Sequence, residues 1–281
     1  MPIAHVCVTC GAHLPGGSPP PALCPICDEP RQYVPLDGQR WLSYADLAAS
    51  HANRIEEVEV DLWGVGVEPT FAIGQRALLV RTEEGNLLWD CVPLLTPGAI
   101  ARLEELGGVR AVAVSHPHFY TGAARFAAAF GAEVILHDAD CRHVAEPGPH
   151  LRFWTGETLS PFGDLTLVRA GGHFAGGTVL HWPAGAGGRG ELLTGDIVRV
   201  IPDRSHVAFL YSYPNLIPLP GREVERIAAA VARFRYDRIH DGWWGRVIEE
   251  GAEAVMERSV ARYVRALAGR LDGVQLPWPA S

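Results

Sequence analysis

The stretch "VSHPHFYTGAARF", Val114–Phe126, sets two histidines, His116 and His118, one residue apart at the end of the apolar run "AVAV" and just before a helical pattern. Reading outward, the same arrangement recurs. His173 follows "LTLVRAGG", Asp196 follows "ELLTG" and His240 follows "YDRI", each at the end of an apolar run where a turn begins. In a sheet covered by helices the strand-end loops share one edge, so residues distant in sequence can meet there around a single site. Two imidazoles at this spacing, joined by a third and by carboxylate chemistry, are a ligand set for a metal ion.

The rest of the chain supports such a sheet. "SYADLAASHANRIEE" reads as a helix opened by Ser43 as N-cap, with Asp46 at its third helical position. "QRALLVRTEEGNLLWDC" reads as a hairpin of two buried strands around "EEGN". In "TPGAIARLEELGG", Thr96 caps, Pro97 takes the first helical position and Gly107 stops the helix. Strands "VRAVAVSH" and "AEVILHD" then alternate with helices "TGAARFAAAFG" and "ADCRHVAE". Strands "LTLVRAGGH", "GTVLHWP", "ELLTGDIV" and "YDRIH" follow, with a helix "REVERIAAAVARF" and a long terminal helix over 246–271 that is interrupted at Gly251.

The N-terminal forty residues have another logic. Cys7 with Cys10 and Cys24 with Cys27 form two C-x2-C pairs thirteen residues apart, with Gly11 after the first and Pro25 inside the second. Two such knuckles complete a tetrahedral four-thiolate site. The intervening "LPGGSPPPA" is a loop, because proline removes amide donors and glycine weakens regular structure. About 40 residues bury too little apolar surface to fold alone, so the ion substitutes for a core. The ion is zinc, with iron as the alternative; His5 and His13 read as surface histidines. Cys91 and Cys141 read as buried apolar thiols.

The 281-residue chain carries 24 Lys and Arg against 32 Asp and Glu, for a net charge of −8. That balance disfavours nucleic acid and anionic membranes as partners. No apolar run reaches the ~20 residues of a membrane span and no secretory leader is visible, so a cytoplasmic location is expected.

These segments together resemble the metallo-β-lactamase superfamily, from about Phe71 to Leu271. "SHPHFYTG" corresponds to its H-x-H-x-D-H motif, "GGHFAGG" to G-H-x-x-G, "LLTGDIV" to the strand ending in a bridging aspartate and "IHDGWWG" to the last histidine. The four-cysteine segment resembles rubredoxin-like zinc ribbons. The resemblance implies an α/β (α+β) chain with an αββα sandwich over 41–281 and a ribbon over 1–40. It also implies a first ion on His116, His118 and His173, and a second on the family's Asp and His of the motif, Asp196 and the last histidine, His240. Here Tyr120 and Thr121 stand in place of that Asp and His. Neutral hydroxyls are poor replacements for a carboxylate and an imidazole, so one zinc or iron ion is expected in the cleft, with His240 as a further candidate ligand.

The function implied is hydrolysis of a small ester, thioester, lactone or phosphoester, with Asp196 or His240 as base and Tyr120 either donating to substrate or filling vacated space. Two other readings are open: an oxidoreductase with mononuclear iron or an iron-bearing ribbon, and a weakened binding or scaffold protein. Self-association into a homo-oligomer is a further possibility. Asp90 is expected to buttress the metal-site loops. His137 and Asp138 have no assigned role. The loop carrying Phe209, Tyr211, Tyr213 and Asn215, with Trp243 and Trp244 beyond it, is either a cleft wall or a core seal.

Overall fold

The computed structural model describes residues 3–16 and 19–270; residues 17–18 of the proline-rich loop and 271–281 at the end of the main domain lie outside the described residues. The runs Ala77–Val80, Leu87–Trp89 and Ala111–Ala113 are buried along their whole length, as strands covered on both faces must be. Side chains alternate between faces along a strand. Leu79, Leu88, Val112 and Val134 therefore meet the helices on the outer face. Leu78, Leu87, Ala113 and Ile135 pack inward against Leu167, Leu180 and Leu193 of a second sheet.

The first sheet has seven strands in the order Leu151–Trp154, Glu133–His137, Ala111–Ala113, Leu87–Trp89, Ala77–Val80, Leu62–Glu68, Ala52–Glu59. Its first four strands run parallel and the rest antiparallel. The second sheet has six, in the order Thr158–Leu159, Thr166–Arg169, Thr178–Trp182, Glu191–Leu193, Arg238–His240, Val247–Ile248. Helices Pro97–Glu105 and Ala123–Phe130 cover the first sheet through Leu103 and Phe126. Helices Gly221–Val231 and Ala252–Leu267 cover the second through Ile227 and Met256. The layers are those of an αββα sandwich. Among the described residues no helix is long and apolar enough to cross a membrane.

Two stretches read as helix are partly strand. The helix after Ser43 covers only Tyr44–Ser50, and Ala52–Glu59 pairs with Leu62–Glu68 as the sheet edge. The capping at Ser43 holds, since Asp46 N donates to Ser43 Oγ at 3.0 Å, but the helix ends at Ser50 and pairing with Leu62–Glu68 overrides the helical spacing of Ile55 and Val58. Near the C-terminus, Val247–Ile248 is a strand and the helix starts only at Ala252.

The four-cysteine segment forms a three-stranded sheet of His13–Pro15, Ile3–Cys7 and Trp41–Leu42, so its last strand falls beyond residue 40. Val6 of that sheet packs with Leu47, Phe71 and Leu94, which ties it to the sandwich.

Gly64 and Gly66, two residues apart on one strand, open a slot that the Trp244 indole fills. A Cβ at Gly66 would stand 2.6 Å from Trp244 Nε1, and one at Gly64 would stand 2.5 Å from the ring. Gly66→Ala is therefore expected to destabilise the protein by about 1–3 kcal/mol through overpacking. Urea unfolding measures this, and the penalty should shrink in a Trp244→Ala background.

Candidate metal centre

The four ribbon cysteines are buried and converge. Cys7 Sγ lies 3.6 Å from Cys27 Sγ, and Cys10 Sγ lies 3.6 Å from Cys24 Sγ. A tetrahedron with metal–sulfur bonds of ~2.3 Å has edges of about 3.8 Å, so the four sulfurs fit one ion. Gln39 Nε2 donates to Cys7 Sγ at 3.1 Å, a contact suited to a thiolate. Cys91 is buried, but Cys141, read as buried from the sequence, is exposed.

The second cluster forms at the strand-end edge. His116, His118, His173 and Asp196 each direct one ligand atom into a space where all four atoms lie within 4.8 Å of one another. His116 Nε2 is 3.0 Å from Asp196 Oδ1, and His173 Nε2 is 3.7 Å from the same oxygen. His173 Nε2 and His118 Nδ1 face each other at 3.1 Å. For bonds of ~2.0–2.1 Å a tetrahedral edge is about 3.4 Å, so the imidazole nitrogens are spaced to share one ion with the Asp196 carboxylate beside it.

Two of the three outward ring nitrogens, those of His173 and His116, are held by the chain. His173 Nδ1 donates to Leu210 O at 3.0 Å, and Ser115 Oγ lies 2.8 Å from His116 Nδ1. Ser115 N in turn donates to Asp90 Oδ1 at 2.7 Å, so Asp90 supports the His116 loop. Such contacts choose the tautomer that leaves the inner nitrogen bare. Burial pushes His118 well down and His173 to about 4, so both are neutral at pH 7. Burial opposes ionisation of Asp196, but the imidazoles of His116 and His173 outweigh it and hold the carboxyl below the usual range.

Above the ligands opens a cleft of about 230 Å³ walled by Gln32, Tyr33, Ile73, Arg199, Tyr213 and Trp243. Of the aromatic loop, Tyr213 joins this wall and donates from its hydroxyl to Asp196 O at 2.9 Å, whereas Phe209 is sealed in the core of the second sheet. His137 is occupied locally, with Nδ1 accepting from Ala139 N and Nε2 facing Gly156 O, and Asp138 is exposed.

One residue read as a site candidate, Tyr120, sits outside the cluster, as do Thr121 and His13. Tyr120 closes the short turn Pro117–Phe119, where successive side chains diverge by about 120°, and lines a small cavity with His13, Ile26 and His150 that also reaches His118 but not His116, His173 or Asp196. Thr121 Oγ1 donates to Gly11 O of the ribbon. His13, expected at the surface, is buried and bonds Pro93 O at 2.8 Å.

His240 belongs to a different cluster, with Glu59 and Glu191. Arg238 and His240 share one strand face, turned toward Glu59 on the opposite sheet, which draws the ring between the sheets. His240 Nε2 lies 3.7 Å from Glu59 Oε1 and 3.8 Å from Glu191 Oε2. Arg76 donates to Nδ1 at 3.3 Å; a guanidinium cannot accept, so the ring proton sits on Nε2, facing the carboxylates. Burial and the adjoining Glu59 push Glu191 up to about 9, while His240 outweighs burial at Glu59 and holds it near 2. The pair shares one proton. Neither glutamate carries a sequence signal for this role, and the same holds for Gln32 and Tyr33 in the cleft wall.

No protein-family model matches the chain. The uncharacterized protein YmaE of Bacillus subtilis (strain 168) is 43% identical over 269 residues, covering 95% of this chain and 98% of that protein. The chain belongs to the YmaE family. Among solved structures it is similar to the metallo-β-lactamase DIM-1, with a TM-score of 0.57 and 14% identity over 76% of this chain and 98% of that one. The metallo-β-lactamase from Pontibacter korlensis gives 0.53 and 16% identity over 75% and 98%. A B3 metallo-β-lactamase with an active-site glutamic acid gives 0.52 and 20% over 77% and 90%. The fold of the chain is therefore the metallo-β-lactamase fold.

Two predictions follow from the clusters. Elemental analysis of the full chain should find one ion per cysteine cluster and one per His116 cluster. Cys7→Ser/Cys24→Ser should remove only the first, and His116→Ala/His118→Ala only the second. Separately, Glu191 contributes full stability below the unfolded-state value of ~4.5 and loses it as pH rises toward its folded value. Glu191→Gln, which mimics the protonated form, should gain on the wild type by about 2–4 kcal/mol between pH 5 and 8 in urea titrations.

Proposed function

We propose that the chain is a metal-dependent hydrolase that uses one ion on His116, His118 and His173. Its substrate on this reading is a small ester, thioester, lactone or phosphoester bearing an anionic group. The observation that carries the reading is the convergence of three imidazole nitrogens and the Asp196 carboxylate beneath an open cleft. A divalent ion there supplies Lewis acidity and lowers the pKa of an attacking water.

The chain's own residues complete the reaction. Asp196, held ionised, takes the proton from the water as the new carbon–oxygen or phosphorus–oxygen bond forms. When the bond to the leaving oxygen or sulfur breaks, the same carboxyl returns that proton to it. Tyr213 holds the Asp196 backbone in place. Arg199, with its guanidinium carbon 3.7 Å from the Trp243 ring centroid, presents a stacked cation to the cleft and is suited to a substrate carboxylate or phosphate.

A panel of carboxylated and phosphorylated small esters, thioesters and lactones on zinc-loaded protein tests this. Turnover should fall by about 10²–10⁴ in kcat for Asp196→Asn. Arg199→Ala should instead raise KM about tenfold for anionic substrates, with kcat little changed. Absence of turnover across the panel at full metal loading would refute the hydrolase assignment.

A further inference from the structure

The ribbon touches both loops that carry the imidazoles. On one side Thr121, three residues past His118, donates to the carbonyl of Gly11, which directly follows Cys10. The adjoining Gly122 has a φ of 71° and packs so tightly that a Cβ would stand 2.4 Å from Val92 O. Ribbon residue His13 bonds Pro93 O in the same seam at 2.8 Å.

On the other side the contact is made by Arg31, four residues past Cys27. Its Nε donates to His173 O at 2.5 Å. Its guanidinium carbon lies 4.4 Å from the Phe174 ring centroid and 4.5 Å from that of Tyr211, so it is wedged between two aromatic faces. Glu29 pairs with the same guanidinium, so the wedge brings no net charge toward a cation. Ser212 Oγ donates to Arg31 O at 2.9 Å, and Asn215 Nδ2 donates to Pro30 O at 3.2 Å and Gln32 O at 3.0 Å. These bonds strap residues 210–215 to the ribbon, and Leu210 is the residue whose carbonyl accepts from His173 Nδ1. Both fixed points of His173, its carbonyl and its outer ring nitrogen, therefore depend on the ribbon or on a segment tied to it.

We propose that the four-cysteine ribbon is the clamp that shapes the His116–His118–His173 site, through Arg31 and Thr121, so that the ribbon's own metal content governs how tightly the cleft holds its ion. A ribbon without its ion has little core to keep Gly11 and Arg31 in place. A histidine ligand that loses its outer hydrogen bond binds metal about 10–100-fold more weakly. Coupling is reciprocal, so a filled cleft also tightens the ribbon. The proposal rests on the His116 cluster holding an ion, and its test does not need turnover.

The experiment uses the full chain and Co(II), whose thiolate charge-transfer bands report the ribbon and whose weaker visible bands report the imidazole site. Cleft affinity is measured by competition with a chelator. Arg31→Ala and Thr121→Val should each weaken cleft affinity about 10–100-fold with the ribbon bands intact. Arg31→Lys should fail to restore it, since an ammonium cannot both stack and reach the carbonyl as the guanidinium does. Cys24→Ser/Cys27→Ser should weaken it at least as much; if that variant does not fold by circular dichroism, the two ribbon-intact variants decide. Unchanged cleft affinity in Arg31→Ala and Thr121→Val, or in a folded protein with an empty ribbon, would overturn the clamp. A wild-type cleft that takes up no Co(II) would instead remove the hydrolase reading on which it rests.

Discussion

Three imidazoles and a carboxylate, all buried, point their lone pairs into one small space. Among the described residues, His116 Nε2 and Asp196 Oδ1 are left without hydrogen-bond partners there. Burying such acceptors against one another is unfavourable unless a cation satisfies them. The surrounding structure makes sense as what enforces that approach. Phe174 stacks edge-on to His118 and His173 with centroids 4.9 and 5.1 Å away, and Phe119 tilts against His116 at 4.6 Å. These rings exclude water from the ligands on the protein side and leave the cleft side open.

The chemistry of the site was legible in the sequence because ligand type and local spacing are written there. Two C-x2-C pairs and an H-x-H after an apolar run each name their atoms directly, and the unbroken apolar runs "ALLV" and "AVA" announced strands covered on both sides. What could not be read was the direction of individual side chains. Tyr120 follows a tight turn that leaves it beside His118 in a neighbouring cavity but outside the ligand cluster, and His240 lies on a strand face turned between the sheets, so neighbourhood in the motif did not become one shared site. The edge strand 52–59 was mistaken for helix because the capping box at Ser43 is genuine and nothing in the chain marks its stop at Ser50 as strongly.

The ribbon illustrates the same limit over a longer range. Arg31 and His173 are 142 residues apart, and no periodicity or spacing joins them. Only the folded chain shows that a module which looks appended by composition contributes Gln32 and Tyr33 to the cleft wall. The match to the YmaE relative runs over 269 residues, too long to leave out a segment of the ribbon's length.

The outermost strand of the first sheet, Ala52–Glu59, leaves Glu56 and Glu57 exposed along its free border, with Arg54 half-exposed beside them. Unpaired strand borders invite another chain to continue the sheet, and charged side chains make that costly through desolvation and like-charge repulsion. Charge along this margin therefore makes it costly for another strand to continue the sheet from this side.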